Sequence, residues 1–306
     1  MTRRHILFGV FLGLIAFPIA LMVEVPQRIL SLWAPGTFPI KPDVVVEGEA
    51  LSVTVVTWNV LCSFCAKDGY DDWSARLPRI QRALHEMDAD LIAAQELFTD
   101  DQVAAIAGKT YGVVRPLPGY ADSTIFYRKG RLKPRATGAI WMSPSPQRPM
   151  SWGWHPWTFP RLAAWAVMDT DAGPPLLVVS THLDSDPKNH RPSRQILQQV
   201  VAPLAETMPV IIAGDFNQSV DEADLTPLIE AASIAQEADF VGQLDGAAHT
   251  RRELLPAHRI DQIWLGGPGR ITVARWTHHA PVDGSPSTRP SDHPAIYTEA
   301  TFYPSD

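Results

Sequence analysis

Cysteine is nearly absent from this sequence, with only Cys62 and Cys65 in 306 residues. A single C-x-x-C supplies half of the roughly four protein ligands that a structural zinc needs, so a zinc-built fold is disfavoured. A thioredoxin-type redox role needs the motif to open a helix in a small βαβ domain, and no such scaffold surrounds it. The pair reads as two loop cysteines without a catalytic role, which an oxidising compartment can join in a short-range disulfide. Charge is scarce too, at 19% of residues with a net of -7. That balance argues against binding nucleic acid by coating its phosphates with Lys and Arg, although metal ions can bring positive charge to an acidic site. There is no internal repeat.

Proline is abundant, 28 of 306 residues or about 9%, against a usual ~5%. An interior proline costs a helix ~3 kcal/mol, so an all-helical chain tolerates this content poorly and a loop-rich mixed or β-containing fold is favoured. With 45% hydrophobic residues, the chain carries enough apolar surface for a sizeable core, so wholesale disorder is excluded.

Three regions follow. Arg3 and Arg4 precede an uncharged run from Ile6 to Val23, which as a helix would span about 27 Å, close to a bilayer's ~30 Å core. The run is longer than a usual signal-peptide core, and no good small-x-small cleavage site follows it directly. Residues 1–23 therefore read as a signal anchor in preference to a cleaved signal peptide. The arginines stay cytoplasmic, and the rest of the chain is expected on the non-cytoplasmic side, membrane-anchored, or secreted or periplasmic if cleaved. Residues 24–48, with Pro26, Pro35, Pro39 and Pro42, read as a semi-extended linker. Residues 49–304 read as one α/β domain.

Within that domain the apolar pattern alternates between strands and helices. Ser52–Trp58, Leu91–Ala94, Ser123–Tyr127, Leu162–Met168, Leu176–Ser180, Val210–Ala213, Ile260–Leu265 and Ala295–Phe302 read as strands. Leu77, Ile80, Leu84 and Met87 recur at helical spacing, as does Ile196–Leu204, which Pro203 should end or bend. Arg128, Lys129, Arg131, Lys133 and Arg135 cluster around an expected solvated hairpin turn.

Chemistry gathers at the strand ends. Successive apolar runs lead into Asn59, into Gln95-Glu96, into His182 and into Asp215-Phe216-Asn217; Arg259-Ile260 precedes Asp261, and Ser291-Asp292-His293 opens the last strand. Such groups are costly to bury unpaired, so their repeated placement predicts one polar site at one edge of a sheet system. Glu96, Asp215, Asp292, Asn59 and Asn217 offer hard oxygen ligands, which suit Mg2+ or Mn2+. His182 and His293 are acid–base groups near neutral pH, and Asp261 can orient one of them. The set suits hydrolysis of a phosphate ester by metal-assisted attack of water. Each residue alone has a plain structural reading as a turn, cap or satisfied core group. Asn217-Gln218-Ser219 also fits a glycosylation sequon, but a glycan there would fill the site.

Thr57-Trp58-Asn59-Val60, Gln95-Glu96, Ser180-Thr181-His182-Leu183, Gly214-Asp215-Phe216-Asn217, Arg259-Ile260-Asp261 and Ser291-Asp292-His293-Pro294 stand in an order that resembles the endonuclease/exonuclease/phosphatase superfamily. The resemblance spans roughly residues 52–302. It implies an α/β fold, a four-layer sandwich of two packed mixed β-sheets flanked by helices. It implies a Mg2+- or Mn2+-dependent phosphoric ester hydrolase acting on nucleic acid, or on a phospholipid or inositol phosphate. Carried over by position, Glu96, Asn59 and Asp292 resemble the metal-binding residues. His182, Asp215, Asn217, Asp261 and His293 resemble the catalytic ones, with either Asp215 or His293 as base.

Arg161, just before a strand, and Trp154 and Trp157 in the irregular segment from Met150 to Pro160 are candidate substrate-binding residues, the tryptophans forming an aromatic wall. The membrane, through the N-terminal run, and the phosphate ester are the expected partners, and no protein partner is expected. The competing reading is a non-catalytic binding module that keeps the fold.

Overall fold

The computed structural model describes residues 37–39, 49–117, 120, 122–155, 159–171, 173–218, 260–279 and 285–304. The Ile6–Val23 run, most of the linker and Trp157 lie outside the described residues. Among the described residues no helix is long and apolar enough to cross a membrane.

Eleven strands and three α-helices alternate along the described chain. Strands β1 (Leu51–Asn59), β2 (Leu91–Gln95), β3 (Tyr111–Val114), β4 (Ser123–Arg128), β10 (Ile271–His279) and β11 (Ala295–Phe302) form one sheet, ordered β10-β11-β1-β2-β4-β3. Strands β5 (Leu132–Trp141), β6 (Leu162–Thr170), β7 (Leu176–His182), β8 (Val210–Asp215) and β9 (Asp261–Gly266) form the other, in sequential order. Each sheet is mixed. β1 and β2 are parallel, as are β7 and β8, and the remaining pairs are antiparallel.

The two sheets bury a shared core in which Val53, Val55, Leu91, Ala93 and Ile125 of the first face Ala164, Ala166, Val178, Ile211 and Ile263 of the second. Alternation along each strand sends the other set of side chains outward. Those of the first sheet, Val56, Trp58, Ile92 and Phe126, pack under α1 (Trp73–Met87) and α2 (Asp100–Ala107). Those of the second, Trp165, Val179, Val210 and Ile212, pack under α3 (Pro187–Ala205). The result is the expected helix–sheet–sheet–helix sandwich. Continuous apolar runs such as Val210–Ala213 belong to strands covered on both faces.

Local signals set several boundaries. Thr99 starts α2 with a capping box, its hydroxyl accepting from the Gln102 amide while Gln102 accepts from the Thr99 N–H. Asp186 caps α3, which runs past Pro192 and carries Pro203 in its last turn. The basic turn after β4 is not a hairpin: β4 and β5 belong to different sheets, so it carries the chain across the sandwich. Its arginines are paired, Arg128 with Asp88 and Asp90, Arg131 with Asp90 and Arg135 with Asp169. The expected linker also touches the body. The Thr37 N–H donates to the Ala139 carbonyl at 2.8 Å, and the Trp165 indole donates to the Thr37 carbonyl at 2.7 Å. Phe38 packs against the core under α3.

Candidate active site

Strand direction decides which residues meet. β1, β2, β7 and β8 end at one edge of the sandwich, and the strands antiparallel to them begin there. Asn59 ends β1 and lies beside Gln95, the last residue of β2; Glu96 follows. His182 ends β7 opposite Asp215 at the end of β8, and Asp215 faces Asp261 at the start of β9. Asp122 and Arg161 immediately precede β4 and β6, and Asp292-His293 stands just before β11, all at the same edge. Gly214 is required where β7 and β8 pass, because a Cβ there would stand 2.0 Å from the Thr181 carbonyl oxygen.

A chain of hydrogen bonds joins these groups. The Asn59 side-chain nitrogen donates to Glu96 Oε1 at 2.9 Å and to Asp215 Oδ2 at 3.1 Å, while its oxygen accepts the Leu61 N–H at 3.1 Å. That last bond fixes which way the amide points, so Asn59 bridges two carboxylates as a donor and does not offer them its oxygen. Glu96 Oε2 accepts the Cys62 N–H at 2.8 Å. Asp215 Oδ1 accepts the Asn217 N–H at 2.9 Å, and the Asn217 amide donates to the Leu183 carbonyl. Glu96, Leu61 and Asn217 all hold left-handed backbone angles, φ 67°, 55° and 50°. Non-glycine residues adopt that region at a cost of roughly 1–2 kcal/mol, and clustered outliers of this kind are a mark of functional sites.

Both imidazoles are held at Nδ1 by a buried carboxylate. His182 Nδ1 lies 2.7 Å from Asp122 Oδ1, and its Nε2 faces Asp215 Oδ2 at 3.5 Å. His293 Nδ1 lies 2.8 Å from Asp261 Oδ2 and 3.9 Å from Asp215 Oδ2. Burial alone would pull both imidazole pKa values down. Burial is the largest influence on His182, but Asp122 and Asp215 together overcome it and Arg161 to raise His182, and Asp261, with Asp215, raises His293 well above the ordinary value. Asp122 moves the other way. Burial would lift its carboxyl, but Arg161 and His182 hold it well below the usual carboxylate range. Asp292 is lowered despite burial by His293 and by Lys67, whose ammonium donates to Asp292 Oδ2 at 2.5 Å.

All the expected catalytic and metal residues thus meet at one edge: Asn59, Glu96, His182, Asp215, Asn217, Asp261, Asp292 and His293. Arg161 is there too, but its guanidinium is committed to Asp122, on the Nδ1 side of His182. Trp154 is more distant in bonding terms. Its N–H donates to Asn189, whose amide donates to Asp184, two residues beyond His182. The segment does expose Trp152, at 54%, and Phe159, which stacks on Tyr120 two residues before Asp122. Cys62 and Cys65 form a disulfide beside Glu96.

A hard divalent cation fits these donors. Sulfur ligation is removed by the disulfide, and the donors left are carboxylate oxygens and an imidazole nitrogen, among them Asp261 Oδ1, which is buried without a hydrogen-bond partner among the described residues. Asp215, Asp261 and His293 bring ligand atoms within 4.8 Å of one another, Glu96 stands beside the disulfide, and Asp292 is paired with Lys67.

The sequence pattern of the Endonuclease/Exonuclease/phosphatase family matches residues 56–293, from β1 to His293. The chain belongs to this family. Solved members are similar in fold. A family protein from Bacteroides thetaiotaomicron is 22% identical, with a TM-score of 0.67 over 84% of this chain and 97% of its own. A mannosyl-6-phosphatase from the same organism is 22% identical, with a TM-score of 0.66 over 82% of this chain and all of its own. D. rerio TDP2, solved with a single-strand DNA product, is 18% identical, with a TM-score of 0.58 over 81% and 98%. A comparison with curated proteins returns no match. Asp122 and Lys67 join the site without a sequence-based expectation, although Asp122 carries a readable signal, an acid directly before an apolar strand.

Proposed function

We propose that this member of the Endonuclease/Exonuclease/phosphatase family is a Mg2+- or Mn2+-dependent hydrolase of phosphate diesters, with water attacking phosphorus. The observation that carries the reading is the central place of Asp215, a buried carboxylate bonded to Asn59 and faced by both imidazoles. Asp215 Oδ2 is placed to take the proton of the attacking water. His182, held at Nδ1 by Asp122, presents its Nε2 to charge growing on the phosphoryl oxygens. His293, oriented by Asp261, supplies a second donor or delivers a proton to the leaving oxygen. A cation held by Glu96 and Asp292 would polarise the phosphoryl group and neutralise developing charge. Asn59 and Asn217 keep the carboxylates in register.

EDTA is expected to reduce hydrolysis of bis-p-nitrophenyl phosphate by at least ~10²-fold, with Mg2+ or Mn2+ restoring it. Undiminished turnover in EDTA would remove the metal from the mechanism. A panel of plasmid DNA, RNA, phosphatidylinositol, sphingomyelin and inositol phosphates assigns the substrate. The relatives' names cover both a sugar phosphatase and a DNA-bound protein. A lipid- or inositol-directed activity is the second reading, favoured by the exposed apolar side chains of Phe64, Met150 and Trp152. Turnover of nucleic acid alone would remove it.

We place the domain on the non-cytoplasmic side of a membrane, anchored by the Ile6–Val23 run. The Cys62–Cys65 disulfide supports that reading, since such bonds persist in oxidising compartments. Protease added outside intact cells or spheroplasts should digest the domain, and full protection would refute the placement.

A further inference from the structure

Arg76 lies in α1, 1% exposed, and the described residues give it no ion-paired carboxylate. Among the described residues its guanidinium donates only to backbone carbonyls. Nη1 reaches Val60 at 2.7 Å and Pro290 at 2.9 Å, Nη2 reaches Leu61 at 2.8 Å and Cys62 at 3.4 Å, and Nε reaches Asp71 at 3.0 Å. The Trp73 ring lies against it, 5.5 Å from its centroid. A buried cation is costly to desolvate, and simple helix packing does not call for one at this position.

The bonds have a consequence at the site. In a planar trans peptide the C=O and N–H point in opposite directions. Holding the Val60 and Leu61 carbonyls therefore fixes the N–H groups of Leu61 and Cys62 on the far side of the same two peptide planes. Those are the amides that donate to Asn59 Oδ1 and Glu96 Oε2. Leu61, between the two planes, holds φ 55°, which a leucine does not adopt without support. The bond to Pro290 ties in the second loop. One residue on, the Ser291 hydroxyl donates to the Asn59 carbonyl at 2.7 Å, and Asp292 and His293 follow.

We propose that Arg76 is the positioning residue of this site: it sets the amide donors on Asn59 and Glu96 through two peptide planes, and through Pro290 it fixes the loop bearing Asp292 and His293. The inference rests on the hydrolytic reading above.

The full chain is compared with Arg76→Lys, which keeps the charge but not the fork, and with Arg76→Gln, which keeps two donors without the charge. Arg79→Lys is the control; Arg79, three residues on, donates to the Ser287 carbonyl and to Asp71. Mn2+ affinity is read by calorimetry, kcat and KM on bis-p-nitrophenyl phosphate, and hydrogen exchange at the Leu61 and Cys62 amides. Both Arg76 variants should bind Mn2+ about 10–100-fold more weakly and lose kcat by a similar factor with KM little changed. The two amides should exchange faster, and Arg79→Lys should alter none of these. A folded Arg76 variant with wild-type Mn2+ affinity and kcat overturns the proposal. So does failure of both variants to fold, which would assign Arg76 to the fold and not to the site. If the wild type neither binds Mn2+ nor cleaves any ester, the hydrolytic reading fails instead, and the amide exchange still reports whether Arg76 holds the loop.

Discussion

Asp215→Asn should leave the protein folded and lower kcat/KM by about 10³-fold, within the ~10²–10⁴ that a positioned acid–base group contributes. The substitution is isosteric, so the shape of the β8 end is kept. Two acceptor bonds change, those from Asn59 and from the Asn217 N–H. A carboxamide has one oxygen and can serve only one of these donors, leaving its own NH2 against the other, a loss of roughly 1–3 kcal/mol. Against this, Asp215 and Asp261 are like charges in one buried cluster, and Asp215 contributes to raising the Asp261 carboxyl to about 6, an effect led by burial. Removing one of the two charges relieves that repulsion and offsets part of the lost bonding. Activity and stability should therefore separate: a large fall in turnover with a melting temperature lowered by only a few degrees. Wild-type turnover in a correctly folded Asp215→Asn protein would remove Asp215 as the base. A collapse of stability that accounts for the lost activity would show instead that the residue serves the fold.

The same cluster shows what the sequence makes legible. Residues at the ends of apolar runs, Asn59, Glu96, His182 and Asp215, stand out because an apolar strand stops at a polar group. Their partners at strand starts are harder to see, since a strand's start lies at the same edge only if that strand is antiparallel to its neighbour. Asp122 is the clearest case. It precedes Ser123, and only the pairing of Ser123 with Gln95 brings it beside the Glu96 end of β2. Arg161 carried a signal as a basic residue before a strand, but its use of that charge on Asp122 depends on the same antiparallel geometry. The β4–β5 connection misleads for a related reason. A short basic turn between strands looks the same whether the strands pair or pass to opposite sheets, and only long-range pairing decides. Arg76 is quieter still. On the helical pattern it is one more polar residue between apolar ones, and its donors go to carbonyls, which every residue possesses.

Asp122→Asn is the variant expected to cost most in stability, about 3–5 kcal/mol, as when one member of a buried ion pair is removed. Asp122 is 1% exposed and bonds Arg161 through one oxygen and His182 through the other. The asparagine keeps the shape but leaves the Arg161 guanidinium buried without its counter-ion. For a domain of this size each kcal/mol shifts the melting temperature by roughly 2–4 °C, so a fall of roughly 6–20 °C should appear in a thermal scan. The pH profile gives an independent check. The Asp122 carboxyl is depressed in the fold, so its contribution is present above the unfolded carboxylate value of ~3.9 and is lost as pH falls through the folded value. His182 is raised, so its contribution is present below ~6.5 and is lost as pH rises through its folded value. The triad therefore stabilises most between about pH 4 and 6.5, and the melting-temperature gap between wild type and Asp122→Asn should be widest there. Without Asp122, burial and Arg161 lower the His182 pKa and only Asp215 is left to raise it, so His182 gives up its proton at lower pH than in the wild type. Hydrolysis should accordingly weaken first at the alkaline end of its pH range. A variant whose melting temperature stays within about a degree of wild type across that window would show that Arg161 and His182 do not depend on Asp122 for their charge.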